Sequence, residues 1–376
     1  MTDLFASAAA HAGARAASCF APDYRAARSL FLQSRAQLPL HSYLHPLRGA
    51  QGETLALDVV LAGAPQADKI LLISSACHGV EGFHGSALQS ALLQDAALLA
   101  AARAGGVTIL LLHALNPWGF SHLRRVDHQN IDLNRNFIDF AAPPANPQYS
   151  ELHALLLPPV WPPDAANQAA LGAWMHNHGL AAFQAAISMG QYSHPDGMFY
   201  GGAAPSWSQQ TLRAVLRRYA AHARELAWLD IHSGLGPQGV AERMFDGRED
   251  DLAACRRAQE WWGGETPVTT LHDGNSSSSR LHGLMHEAAY QECAQARFTG
   301  LTLEYGTEDL LFVLQALRAD HRLAQPAAMA LAPAQAAAIR ATLRQAFYSD
   351  NEAWRQAVMR QGMEVIVQGV QALAAL

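Results

Sequence analysis

Residues 69–82, KILLISSACHGVEG, decide the fold. The run from Lys69 to Ala76 is apolar without alternation, which is the pattern of a strand buried on both faces. A glycine-punctuated loop with His78, Gly79, Val80 and Glu81 follows, and then the alanine- and leucine-rich GSALQSALLQDAALLAAARAGG. Within that segment Ser86 and Gln89 have capping-box spacing and Gly105-Gly106 marks a stop, so the order is strand, loop, helix. Further along, VTILLLHAL (107–115) reads as another buried strand. It leads into the polar stretch NPWGFSHLRRVDHQNIDLNRNF and then into the proline-rich AAPPANP and LPPVWPP. An irregular stretch of that length inside a compact domain usually has a function.

Helical patterns cover 164–188 and 207–225, separated by GQYSHPDGMFYGG, and strand-like runs recur at LAWLDIHS (226–233) and FTGLTLEYG (298–306). Continuous apolar strands alternating with helices predict an α/β fold. The expectation is a single domain over 1–376 with a central, mostly parallel or mixed twisted sheet covered by helices on both faces, and with helical N- and C-terminal extensions.

Composition narrows the function classes. The chain has 376 residues, 50% of them hydrophobic and 15% charged, which is ample for a full core. No apolar run reaches the roughly 18 residues of a membrane span, so no membrane partner is expected. The start, MTDLFASAAAHAGARAASCFAPDYR, lacks a basic segment followed by an apolar core; a secretory signal is not expected, and a cytoplasmic setting is. With 26 Lys+Arg against 32 Asp+Glu and no polybasic tract, the net charge of −6 offers nothing to a nucleic-acid backbone. Cys19, Cys77, Cys255 and Cys293 are scattered without a CxxC pair, so neither a disulfide framework nor a thiolate zinc site is indicated.

Open α/β sheets place their sites at the C-terminal ends of strands. His78 and Glu81 follow the first strand, His232 ends LAWLDI, and Glu304 follows LTL. Two histidines and a glutamate make a donor set for a catalytic zinc that leaves a fourth position for water. HxxE alone is a weak signal, since His222-Ala223-Arg224-Glu225 repeats it within an amphipathic helical pattern where both residues read as solvated. His282 and His286, followed by Glu287, have i, i+4 spacing without HExxH order and form a lesser alternative. The polar stretch adds Arg124, Arg125, Asp132, Asn134 and Arg135, with Ile131, Leu133 and Phe137 as apolar anchors. Adjacent asparagine and arginine present a fork of donors suited to a carboxylate, and a further arginine suits an oxyanion.

Other chemistries find less support. Gly234 to Gly239 spells GxGxxG after a strand, but a turn-like VAERMFDGRED follows where a dinucleotide fold needs a helix. GxSxG is absent. Cys77 adjoins His78, yet neighbours in an extended strand point to opposite faces, so it reads as a small core residue.

HGVE, NIDLNRNF, LDIHSG and LTLEYGT, in that order over about 230 residues, resemble the zinc carboxypeptidase family typified by carboxypeptidase A. GQYSHPDGMFYGG and DIHSGLGPQG look like a bacterial branch of it. The resemblance implies one zinc ion held by His78, Glu81 and His232, with Glu304 as general base and Asp132 orienting the first histidine. It also implies a substrate carboxylate on Asn134 and Arg135, and an oxyanion arginine at Arg125 or Arg124, with Arg125 favoured. The family's capping tyrosine has no clear counterpart in SSSSRLHGLMHEAAYQEC, where Tyr290 is nearest and His282 or His286 could substitute. The implied activity is hydrolysis of an amide bond beside a free carboxylate, on a peptide or, on the related deacylase plan, on a small N-acyl amino acid. A non-catalytic carboxylate-binding protein is the contrasting class.

Overall fold

The computed structural model describes residues 18–324 and 331–376. The stretch 1–17, where the absence of a signal was read, lies outside them. Its centre is an eight-stranded mixed sheet of β1 (Leu40–Arg48), β2 (Thr54–Ala62), β3 (Lys69–Ser75), β4 (Val107–His113), β5 (Glu225–Gly234), β6 (Ala241–Phe245), β7 (Val268–Thr270) and β8 (Arg297–Gly306). The spatial order is β1-β2-β4-β3-β5-β8-β6-β7. β4, β3, β5 and β8 run parallel, and antiparallel pairs flank them on both sides.

Each central strand divides its apolar residues between two cores. Leu71 and Ile73 of β3, Leu229 and Ile231 of β5 and Leu301 and Leu303 of β8 face one side. Ile70 and Leu72, Leu226 and Trp228, and Phe298 face the other. The first side is covered by helices Gly82–Leu93, Leu252–Trp262 and Glu352–Ala374, and the second by helix Trp207–Tyr219. Burial on both faces is why these strands read as unbroken apolar runs. Beyond the C-terminal strand ends, helices Pro147–Leu156, Ala165–His178, Leu180–Ser188, Leu310–Ala324 and Pro333–Phe347 pack around a third core.

Some local expectations are corrected. The segment after the first loop is two helices, Gly82–Leu93 and Ala96–Ala104, divided where Asp95 caps the second by accepting from Leu98 N. Ser86 and Gln89 cap nothing. Both lie inside the first helix, where Ser86 meets His113 and Gln89 donates to Ile73 O and Leu112 O. The helix at 207 ends at Tyr219, so His222 falls in a turn and Glu225 opens β5, paired with Arg297. GxGxxG forms the turn between β5 and β6 with no helix after it. Among the described residues no helix is long and apolar enough to cross a membrane, and Cys77, Cys255 and Cys293 are outside any disulfide.

Candidate metal centre and substrate cavity

His78 and Glu81 stand on the short helical turn that links β3 to helix Gly82–Leu93. This turn passes against the chain at 119–120 so closely that a Cβ on Gly79 would lie 2.0 Å from Gly119 C, which only glycine avoids. Gly79 N and Val80 N donate to Arg125 O and Arg124 O, tying the turn to the polar stretch. His232 lies near the end of β5 and Glu304 in the corresponding place on β8.

The three donors expected at the ion converge. His78 Nδ1 lies 2.9 Å from Glu81 Oε1, His232 Nδ1 lies 3.1 Å from Glu81 Oε2, and the two Nδ1 atoms are 3.2 Å apart. Zinc bonds to nitrogen and oxygen of about 2.0–2.2 Å make tetrahedral edges of about 3.4 Å, so the set fits one small cation with little adjustment. Both other ring nitrogens are held by carboxylates: His78 Nε2 meets Asp132 Oδ1 at 3.1 Å, and His232 Nε2 meets Asp230 Oδ2. For His232 such a partner fixes the tautomer that leaves Nδ1 free to ligate; His78 Nε2 also lies 2.8 Å from Arg125 Nη2, so there Asp132 and Arg125 together orient the ring. The sequence analysis missed Asp230. Its i, i+2 spacing to His232 on a strand was the available signal, because alternate residues share a face. Its other oxygen accepts from Ser74 Oγ at 2.6 Å, and Ser74 in turn accepts from Trp228 Nε1 at 2.7 Å. Cys77 forms a second possible metal group with Asp230 and His232. Burial, reinforced by Asp230, pushes its thiol well up, which opposes a thiolate ligand.

Electrostatics divide the two glutamates. Burial alone would push Glu81 up, but His78 and His232 outweigh it and hold the carboxyl well below its usual range. Glu304 is raised to about 7, first by burial and then by Glu81; its Oε1 accepts from Leu235 N at 3.0 Å. Asp132 is likewise held low against burial, chiefly by Arg125 and His78.

A cavity of about 940 Å³, partly open to solvent, joins these groups. His78, Glu81, His232, Glu304, Arg125, Asn134 and Arg135 line it, with apolar walls from Phe183, Ile187, Phe199, Leu281, Leu314 and Phe347. Arg125 reaches Glu81 Oε1 at 3.1 Å and Asp132 Oδ2 at 3.0 Å. Arg124, the alternative oxyanion and substrate residue, does not line the cavity; its Nε is bound to Asp320. Asn134 Oδ1 accepts from Met285 N at 2.9 Å, which fixes the amide orientation. The donors of Arg135 go to backbone carbonyls, Nε and Nη2 to Ser188 O and Nη1 to Asn134 O. No carboxylate lies within ion-pair distance of this buried guanidinium among the described residues, and burial lowers its pKa. Left-handed Gly190 makes room for its side chain, since a Cβ there would lie 2.8 Å from Arg135 Cδ, and left-handed Gly283 makes room for its backbone, since a Cβ there would lie 2.2 Å from Arg135 O.

Tyr290, His282 and His286 do not line the cavity. Tyr290 Oη engages Arg248 N and Asp251, and His286 is bound to Asp246. Phe199 was not foreseen. It sits in the left-handed region at φ 52° with its ring 5.1 Å from the Arg125 guanidinium and 5.7 Å from that of Arg135. Backbone strain of this kind gathers at working sites.

The mixed, parallel-centred α/β sheet is the fold of solved carboxypeptidase-like structures. The chain belongs to the family described as protein of unknown function DUF2817, whose model matches residues 20–361. Thrombin-activatable fibrinolysis inhibitor shares the fold at TM-score 0.54 and 11% identity, over 94% of this chain and 74% of that one. The bovine form of that protein, in complex with tick carboxypeptidase inhibitor, matches at TM-score 0.50 and 11% identity over 95% and 98% of the chains. Carboxypeptidase A from Helicoverpa armigera matches at TM-score 0.44 and 12% identity, over 93% and 71%. No curated protein matches by sequence.

Proposed function

We propose that the protein is a zinc-dependent hydrolase that cleaves an amide bond next to a free carboxylate, on substrates carrying a large apolar group. His78, Glu81 and His232 hold one ion and leave a position for water. When bound, zinc makes that water acidic and polarises the amide carbonyl. Glu304, raised to about 7, takes the proton from the water and passes it to the leaving nitrogen. Arg125 donates to the carbonyl oxygen as negative charge develops there. Asn134 and Arg135 receive the carboxylate and hold the scissile bond beside Arg125 and Glu304. The apolar walls take the substrate's side chain and exclude water. The whole chain acts as one catalytic domain in the cytoplasm.

The observation that carries this reading is Arg135, a buried cation at the cavity wall that lacks an anionic partner, in the same space as three converging ligand atoms. A buried charge without a partner is costly, and a substrate carboxylate supplies one. The test is hydrolysis of a panel of peptides ending in Phe or Leu, the same peptides amidated, and matched N-acyl amino acids, with and without a chelator. Zinc-dependent release of the terminal residue from free-acid peptides alone is expected. Turnover of the acyl amino acids alone moves the assignment to a deacylase. Binding without turnover leaves only a carboxylate-binding protein.

A further inference from the structure

We propose a second site for a divalent transition metal, outside the cavity, built from His153, His194 and Asp196. His153 lies on helix Pro147–Leu156, and the other two lie in the loop GQYSHPDGMFYGG, whose role is otherwise unassigned. One ligand atom from each residue lies within 4.8 Å of the others. His153 Nε2 and Asp196 Oδ1 are 3.6 Å apart, too far for a good hydrogen bond and well placed to share an ion. His194 Nε2 meets Ser150 Oγ at 3.1 Å, which leaves its Nδ1 for the ion.

The rings of His153 and His194 stack at 4.1 Å with their planes 19° apart. Ring lone pairs lie in the ring plane, so binding turns one imidazole out of the stack. Asp196, with its side chain 66% exposed, is free to follow. Two imidazoles and one carboxylate select zinc, cobalt, nickel or copper over magnesium or calcium.

The consequence lies in the rest of the loop. Met198 N donates to Tyr149 Oη at 2.6 Å, Phe199 follows between Arg125 and Arg135, and Tyr200 O accepts from Asp132 N at 2.8 Å. An ion at this site staples the loop to helix Pro147–Leu156 and thereby steadies the wall that carries Phe199.

Metal counting on the full chain, after chelation and dialysis against a small excess of zinc, tests this. Two ions per chain are expected in the native protein and one in His194→Gln. His232→Gln also keeps one, which ties that ion to the loop and keeps this inference separate from the zinc reading of the cavity. In a competition titration Asp196→Asn, an exposed change that spares folding, weakens the loop ion at least tenfold. Zinc also slows proteolysis within 190–202 in His232→Gln. A native count that His194→Gln and Asp196→Asn both leave unchanged in number and affinity overturns the proposal, as does loss of every ion in His232→Gln.

Discussion

His232 and Glu304 are register partners on the adjacent parallel strands β5 and β8. The pairing places the proposed ion ligand and the proposed proton acceptor side by side on one sheet face, held by main-chain bonds rather than by a loop. Because Glu304 is bound to Leu235 N and not to the ligand set, its replacement separates chemistry from metal binding. Glu304→Gln keeps its zinc and loses about 10²–10⁴-fold in kcat, the usual range for a general base. His232→Ala loses both. Metal analysis beside steady-state kinetics reads the contrast, and a Glu304→Gln protein that turns over normally refutes the role.

The pH dependence follows from the raised Glu304. The base works ionised, so kcat/KM falls as pH drops through its pKa; a bound cation favours the carboxylate, placing that limb at or below pH 7. The folded value lies above the ordinary 4.5, so the metal-free protein loses stability as pH rises from about 4.5 and the loss is complete above about 7. Metal-free Glu304→Gln therefore has a higher Tm than the native chain at pH 8 and a similar one at pH 4.5. An equal difference at both pH values excludes this origin.

Asp230 sets the tautomer of His232, and its own orientation depends on Ser74. Asp230→Asn presents an amide that is able to donate to Nε2 and so favours the wrong ring form. Zinc affinity falls about 10–100-fold, the customary cost of losing such a partner, with the fold intact by circular dichroism. Ser74→Ala lowers affinity less, since one of the two carboxylate oxygens remains engaged.

The legible part of the molecule is the part buried on both faces. β3, β4, β5 and β8 are continuous apolar runs, and the expected His78, Glu81 and His232 stand at or just beyond their ends. β1, β2, β6 and β7 escaped notice: half-exposed residues such as His41 and Tyr43 break the pattern of β1, a buried Asp58 that of β2 and a buried Arg243 paired with Glu364 that of β6, while β7 is only three residues long. The helix break at Asp95 was hidden by alanine and leucine on both sides. Arg124 and Arg125 are chemically identical in sequence; in space Asp320, 196 positions away, holds Arg124, while Glu81 and Asp132 hold Arg125. No local pattern encodes that pair.

Acid stability depends in part on His113, which shares its lowered pKa with His45, His84 and His321 and is stacked on Phe31 at 4.4 Å and bonded to Ser86 Oγ at 2.9 Å. Burial lowers its pKa from 6.5 to about 4, so it is neutral in the fold and charged in the unfolded chain between those values. The depressed value means its contribution is complete above about pH 6.5 and is lost as pH falls towards 4. His113→Leu, similar in size and unable to titrate, makes the Tm fall less steeply over that window. Parallel profiles for the two proteins contradict the assignment.

In the proposed reaction, Arg135 decides whether the substrate must end in a free carboxylate. Its guanidinium is buried and held by Ser188 O and Asn134 O, which orient it without neutralising it. Arg135→Ala removes the ion pair made with the substrate in both ground and transition states, so KM rises about 10–100-fold while kcat changes less. Arg135→Lys restores the charge but not the fork of donors, and recovers only part of the loss. Phe199→Ala, which frees both guanidinia from a shared ring, raises KM and also lowers kcat, because Arg125 is disturbed together with Arg135. For Arg135→Ala the preference for free-acid over amidated peptides disappears. A variant that keeps the full preference places carboxylate recognition elsewhere in the cavity.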